Sequence, residues 1–321
     1  MLFVVAGCAG LYLPNLPAIF ASRLALGVAV ALIMTAQTAL IGDYFSGDDR
    51  NALTGLQISA RNFGGLAFIS LAGWMATLSP RLPFAIYGLA AAFLPLIWKI
   101  IVDPPRRVRA RPANPAGAAG ASWILPLAFL VLLQALTNMI FFIMPTQISF
   151  FLEASGYDSA IMTGSVLGTL MLSGGVLALA YPRIQRATGY AGIFLLGYAA
   201  MAVGFASLGY ADQTLPLLAA AAMIGAGYAL VSPSFVGLAL NLAPASRREL
   251  GGGVLTASIF IGQFCSPLAS TPLTTSHGYD GLFAAAAALA GSMAIASAMA
   301  GFAIWLRSRS TGNAAGLGQP R

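Results

Sequence analysis

Arg23 and Arg61 are the residues of this 321-residue chain whose placement most demands chemistry, because each stands inside a strongly apolar run. An arginine at the centre of a helix in hydrocarbon costs on the order of 3 kcal/mol, so a partner or water must compensate it. Arg23 lies near one end of its run, where such a partner or snorkelling of the guanidinium to the surface satisfies it. Arg61 is deeper, with Gln57 one turn before it on the same helical face. That pair can present a cation and an amide to a cavity, or bond to backbone carbonyls or a polar group on a neighbouring helix.

Two further faces carry neutral polar groups. Gln134, Asn138 and Phe141 follow the i, i+4, i+7 spacing of one helical face, with Pro145 placed to break or kink that helix. Tyr228, Ser232 and Phe235 form a similar face beside Pro233. Each set can line a cavity or serve as packing and interhelical hydrogen bonding. The single histidine, His277, lies close to Asp280, and one such pair is thin support for acid–base catalysis by a polytopic membrane enzyme. Gly64, Gly65 and the Gly251 to Gly253 run permit close helix crossing; without a Walker-type lysine they do not cradle phosphate. No catalytic residue, cofactor or metal is expected.

The elements that must position these side chains are membrane helices. The chain is 59% apolar and 8% charged, far from the composition of soluble domains. Its apolar runs are about 20 residues long, the pattern of spanning helices and not of barrel strands. Ten segments are predicted, near 1–13, 16–42, 53–78, 82–102, 123–151, 160–182, 190–211, 214–240, 250–275 and 280–306. The first is too short to cross a bilayer, and it has neither the basic flank nor the cleavage site of a signal peptide. Cys8 and Cys265 both fall in apolar segments, which excludes a disulfide framework.

The net charge of +7 is a topology signal and not a nucleic-acid footprint. Arg50, Lys99, Arg106, Arg107, Arg109, Arg111, Arg183, Arg186, Arg247, Arg248, Arg307, Arg309 and Arg321 all fall on one set of alternate loops, and only Arg81 falls on the opposite set. Those loops and both termini are therefore expected to be cytoplasmic. Asp103 to Ser122, rich in Pro, Gly, Ala and Arg, reads as a flexible linker. The expected divisions are a front half over 1–102, the linker over 103–122, a six-helix half over 123–306 and a tail over 307–321.

The chain also echoes itself. At a constant offset of 198 positions, Gly27 pairs with Gly225, Ala31 with Ala229, Leu32 with Leu230, Arg50 with Arg248, Gly55 with Gly253 and Gly64 with Gly262. A fixed offset that matches loop charge and helix boundaries argues for duplicated halves in parallel topology. Segments five and six have no counterparts in the front half. The chain is therefore expected to lack the first two helices of that half, as a fragment or a truncated reading.

Four stretches resemble the major facilitator superfamily, in particular its bacterial multidrug and sugar-efflux-like members. RLALG, Arg23 to Gly27, resembles the R-x-x-x-G signature of the family's fourth helix, and IGDYFSGDDR resembles the loop that follows it. NFGGLAFISLAGW, Asn62 to Trp74, stands where helix five usually carries a Gly-Pro signature, with Ile69 in place of the proline. GQFCSP, Gly262 to Pro267, is similar to the corresponding place in helix eleven. The family's G-x-x-x-D-R-x-G-R loop between helices two and three is absent, and YPRIQRATGY, Tyr181 to Tyr190, is a degenerate version of it.

The resemblance implies an all-α bundle of two pseudo-repeated halves and secondary transport of a small molecule by alternating access. It implies efflux coupled to protons, with Arg23 in a proton-relay role and the helix of Gln134, Asn138 and Phe141 lining the central cavity; Gln57, Arg61, Tyr228 and Ser232 are the further cavity candidates that helical spacing offers. Gly27, Gly64, Gly65, Gly262 and Pro267 are the helix-packing signature it carries over. Asp43, Arg50, Arg248 and Glu249 are read as a gating loop at the cytoplasmic face. A monomer in the bacterial inner membrane is expected, with the lipid bilayer, substrate and protons as partners and no nucleic acid. No carboxylate sits at the middle of any segment, so a coupling acid is expected on the absent helices. The readings from other classes are a polytopic membrane enzyme and a fragment that only inserts.

Overall fold

A computed structural model describes residues 1–45, 47–100, 123–157, 159–209, 213–242, 244 and 248–316, with a few side chains within these helices left aside. The described residues are helical throughout, with no strand among them. The linker over 103–122 lies outside them, as do the side chains of Asp43, Arg50, Arg248 and Glu249.

The chain divides into two units, Met1–Thr54 with Gly64–Ala118, and Gly55–Phe63 with Ala119–Arg321. The first unit holds α1 (Leu2–Cys8), a 3₁₀ turn at Ala9–Leu11, α2 (Leu16–Tyr44), most of α3 (Gly47–Leu78), a second 3₁₀ stretch at Leu82–Gly88, and α4 (Leu89–Ile100). Asn15 caps α2, its side-chain oxygen accepting from Ala18 N at 3.0 Å, and Pro17 occupies a first-turn position that needs no N–H. The first apolar segment is thus one short α-helix and a 3₁₀ turn. The fourth begins as a 3₁₀ helix, with Pro83 in its first turn.

The second unit holds α5 (Ile124–Phe141), α6 (Ile143–Ala154), α7 (Ser159–Leu208), α8 (Thr214–Leu242) and α9 (Arg248–Gly316). The fifth segment is two helices and not one, because Pro145 has no N–H for the Phe141 carbonyl and its ring displaces that carbonyl; the break falls at Phe142. Helix α6 ends in a left-handed Gly156, φ 78°, with Tyr157 N donating to Leu152 O at 3.0 Å, the Schellman arrangement.

Six helices among the described residues are long and apolar enough to cross a membrane by length and composition. Two of the apolar stretches, Ile161–Leu208 and Leu250–Phe302, run to 48 and 53 residues, far beyond the roughly 20 that a bilayer needs. Each bends at one glycine with positive φ, Gly189 at 68° and Gly278 at 69°, in a region essentially closed to other residues. The loops expected before Tyr190 and Asp280 are reduced to these single residues. Helix α3 has the length, but Gln57, Arg61 and Asn62 interrupt its apolar character, and it is not one of the six.

The core of the second unit is built where the faces of α5, α6, α7, α8 and α9 converge on Ile140, Met144, Leu152, Phe205, Ile224, Phe235 and Phe283, each 1% exposed or less. This frame is what sets the polar side chains of α5 against α8 and α9.

Candidate functional site

The polar face of α5 is buried. Gln134, Thr137 and Asn138 are 1%, 0% and 0% exposed, which commits each polar group to a protein partner or to a cost of about 1–3 kcal/mol. Asn138 Nδ2 donates to Gln134 O at 2.9 Å, and Asn138 Oδ1 accepts from Tyr228 OH on α8 at 2.9 Å. The Tyr228 ring stacks on Phe141, with centroids 3.8 Å apart and planes 15° apart. Asn138 and Phe141 thus form one cluster with Tyr228, which lies 90 residues beyond Asn138 in the chain, with the phenol fixed by an amide and the ring by a ring.

Helix α9 closes on the same place. A Cβ at Gly262 would run into the Ala135 carbonyl oxygen and sit 2.9 Å from Asn138 Cβ, so only glycine admits this approach of α9 to α5. Ser258, Gly262, Ser266 and Ser270 recur every four residues along α9 and are all buried. This small, polar stripe was visible as a period in the sequence, and sequence reasoning missed all of it but Gly262. Ser270 Oγ accepts from Gln147 Nε2 at 2.8 Å. Gln134 Nε2 and Ser266 Oγ are buried and have no hydrogen-bond partner among the described residues. The first lies one turn before Asn138 and the second one turn beyond Gly262, with Pro267 beside it.

Other buried bonds brace the surrounding helices. Thr137 Oγ1 and Tyr198 OH are 2.6 Å apart, and Tyr181 OH and Ser234 Oγ are 3.1 Å apart. Ser232 is half-buried, and Phe235 turns to Phe194 at 5.1 Å and joins the core. Of the face expected on α8, only Tyr228 reaches the cluster. Pro233 lies inside a helix that continues unbroken to Leu242.

The segment of α3 grouped with the second unit binds α7 through Ser59, whose hydroxyl donates to Gly175 O at 2.9 Å. Gln57 is half-buried and Arg61 exposed on α3. The Cys265 thiol is half-buried, and Gly65 is half-buried in α3. Glycines of the packing signature differ in surroundings: Gly262 is in tight contact, whereas a Cβ at Gly27 or Gly64 would meet nothing within 4 Å.

Arg23 is compensated within the first unit. Its Nη2 donates to Ala6 O at 3.0 Å and Gly7 O at 2.9 Å, carbonyls left over where α1 tightens into its 3₁₀ turn. The guanidinium also lies 5.0 Å from the Phe84 ring centroid and 5.5 Å from that of Tyr87. Two backbone carbonyls and two ring faces thus partner this charge. His277 Nδ1 is 2.8 Å from the hydroxyl of its neighbour Ser276, a local bond in the bend at Gly278.

These features describe long apolar helices, bent at single residues, around a buried and uncharged polar seam. A comparison with curated proteins found no match. The family model of the Major Facilitator Superfamily matches residues 1–207, and the chain therefore belongs to that superfamily, as a multi-pass membrane protein that transports small molecules.

Proposed function

We propose that the chain exports an uncharged, hydrogen-bonding and partly aromatic small molecule by alternating access, and that the Asn138, Phe141 and Tyr228 cluster reads this substrate. The observation that carries the reading is the chemistry of the seam. Asn138 and Tyr228 offer amide and phenol groups, Phe141 and Tyr228 offer π-faces, and Gln134 Nε2 and Ser266 Oγ are polar atoms left over for a ligand. A ligand that replaced the Tyr228 to Asn138 bond with its own would exchange one neutral hydrogen bond for another, at little net cost. A charged ligand would enter without a counter-charge, because each of these groups is neutral.

The ten-segment reading treats α7 and α9 each as two spans divided at Gly189 and Gly278, in two repeated halves with cytoplasmic termini. The driving force in this reading is an ion gradient, since no nucleotide-binding motif is present in the sequence, and the resemblance to the superfamily's efflux members makes protons the coupling ion. Arg23, held by the Ala6 and Gly7 carbonyls, is the cation to which this reading gives the proton-relay role.

The test is flux in proteoliposomes containing the 321-residue chain, with an imposed pH gradient and a panel of uncharged aromatic compounds alongside cationic and anionic ones of similar size. Gradient-dependent movement of neutral compounds, lost in Asn138→Ala and kept in Ser207→Ala, whose half-buried hydroxyl bonds to the Val203 carbonyl of its own helix, is the expected result. Movement of only charged compounds, or flux that ignores the gradient, would overturn it.

A further inference from the structure

The stripe of small residues on α9 meets α5 and α6 at two levels. Gly262 lies against Ala135 and Asn138 of α5, and Ser270 Oγ accepts from Gln147 Nε2 of α6 at 2.8 Å. Ser266 stands midway between these contacts, one turn from each on the same face of α9. It is therefore set at the level of the break at Phe142, where α5 ends and α6 begins.

Three oxygens at that level lack the partner that a regular helix supplies. Pro145 has no N–H for the Phe141 carbonyl, and the bonds on either side of it run from Phe142 N to Asn138 O at 2.9 Å and from Thr146 N to Phe142 O at 3.2 Å. Pro267, inside α9, likewise has no N–H for the Gln263 carbonyl. The third is Ser266 Oγ, fully buried and without a hydrogen-bond partner among the described residues. Other hydroxyls of α9 turn back onto their own helix: Ser258 to Leu255 O at 2.7 Å, Thr274 to Thr271 O at 2.8 Å and Ser297 to Met293 O at 2.7 Å. Ser266 does not.

The break lies in apolar surroundings. Ile140, Phe141, Ile143 and Met144 are all buried, so a carbonyl freed between them needs a partner inside the protein. A carbonyl only accepts, whereas a serine hydroxyl both donates and accepts, so one group that does both satisfies the pair. There is no charged side chain in residues 124–152 or 250–276, and a cation at this place would have no counter-charge. The chemistry that fits is a neutral O–H.

We propose that the break between α5 and α6 binds one neutral hydroxyl group, which donates to the Phe141 carbonyl and accepts from Ser266 Oγ, and so pins α9 to the bend. A group inserted into the ladder in this way is one of the recognised means of holding a helix kink. Water and the alcohol or phenol group of a transported compound carry the same chemistry. Water has a second O–H to offer the Gln263 carbonyl, while a phenol brings a ring toward Phe141 and Tyr228. The site itself does not rest on the proposed substrate class. Only the assignment of the hydroxyl to a compound does, so the two readings can fail separately.

The test is a structure of the full chain in lipid nanodiscs at a resolution that shows ordered water, first with no compound added and then with a neutral phenol or with its methyl ether. The expected result is density within about 2.5–3.0 Å of both Ser266 Oγ and the Phe141 carbonyl oxygen. Density that is present without compound and unchanged by either one identifies water; density continuous with the phenol, and not formed by the ether, identifies the compound. A Ser266 hydroxyl found donating to the Gln263 or Gly262 carbonyl of its own helix, with nothing between it and Phe141, overturns the proposal. A second measurement is the thermal unfolding midpoint of the parent chain, Ser266→Ala, Pro145→Ala and the double variant. Because Pro145→Ala gives the Phe141 carbonyl an N–H, Ser266→Ala is expected to lower the midpoint more in the parent than in the Pro145→Ala background. Equal shifts in the two backgrounds overturn the proposal. So does a midpoint that rises with sodium chloride and not with choline chloride, and does so only while Ser266 is present, because the bound group is then a cation.

Discussion

Tyr228 OH donates to Asn138 Oδ1 across 2.9 Å and so ties α8 to α5 at a buried point. Because Asn138 is fully buried, removing the phenol oxygen leaves its carbonyl without a partner, and the loss exceeds that of an exposed bond. Tyr228→Phe, which keeps the stack on Phe141, is expected to cost about 1–3 kcal/mol and to lower the thermal unfolding midpoint in detergent. A double-mutant cycle with Asn138→Ala should return a coupling of about 1 kcal/mol; additive losses would mean that the bond contributes nothing of its own.

Two glycines of α9 are expected to respond with opposite sign to the same substitution. Gly262→Ala drives a methyl group into the Ala135 carbonyl and toward Asn138, so α9 and α5 must separate, at about 1–3 kcal/mol. Gly252→Ala meets nothing within 4 Å and removes unfolded-state freedom, for a gain of about 0.4–1 kcal/mol. Chemical or thermal unfolding of the two purified variants compares them directly. Equal shifts of one sign would show that α9 does not pack on α5 as described.

Much of this arrangement was legible in the sequence, and its gaps have physical causes. The face of Gln134, Asn138 and Phe141 followed from helical spacing, and the break near Pro145 from the missing N–H. The pairing of that face with Tyr228 did not, since two residues 90 positions apart carry no mutual period. Gly189 and Gly278 fall between predicted segments and carry no pattern of their own; that each alone turns a long helix became evident only from its φ. Arg23 read as a cation that needed a partner, water or a reach to the surface. Its partners are backbone carbonyls, freed by a change from α to 3₁₀ geometry that side-chain patterns do not encode.

For Arg23 itself, geometry and charge can be separated. The guanidinium reaches two carbonyls with one nitrogen while lying near two rings, and Lys cannot reproduce that planar fit. Charge-assisted bonds of this kind contribute roughly 1.5–3 kcal/mol each. Arg23→Met is expected to unfold at a lower temperature than Arg23→Lys, and both below the parent chain. Proton-gradient-driven flux should survive in the Lys variant and fail in the Met variant, with exchange at zero gradient retained in both. Loss of exchange as well would reduce Arg23 to a structural role.

The interruption between α5 and α6 is expected to depend on one residue. Pro145 denies the Phe141 carbonyl its N–H partner, and its ring prevents the carbonyl from holding helical geometry, so α5 stops at Phe141 and α6 starts at Ile143. Thr146 N nevertheless donates to Phe142 O at 3.2 Å, which shows that the helical ladder resumes at once beyond the proline. Pro145→Ala restores the donor, and nothing else in the stretch opposes a continuous helix. Spin labels at Leu132 and Phe150, both exposed and away from the seam, report the change. Their 18-residue separation should approach about 27 Å along a straight axis in the variant and fall short of it in the parent chain. Because the break lies next to Phe141, straightening it should also move that ring off Tyr228, so the variant is expected to lose affinity for substrate as well. An unchanged label distance would assign the bend to packing from α7 and α9 instead of to the proline.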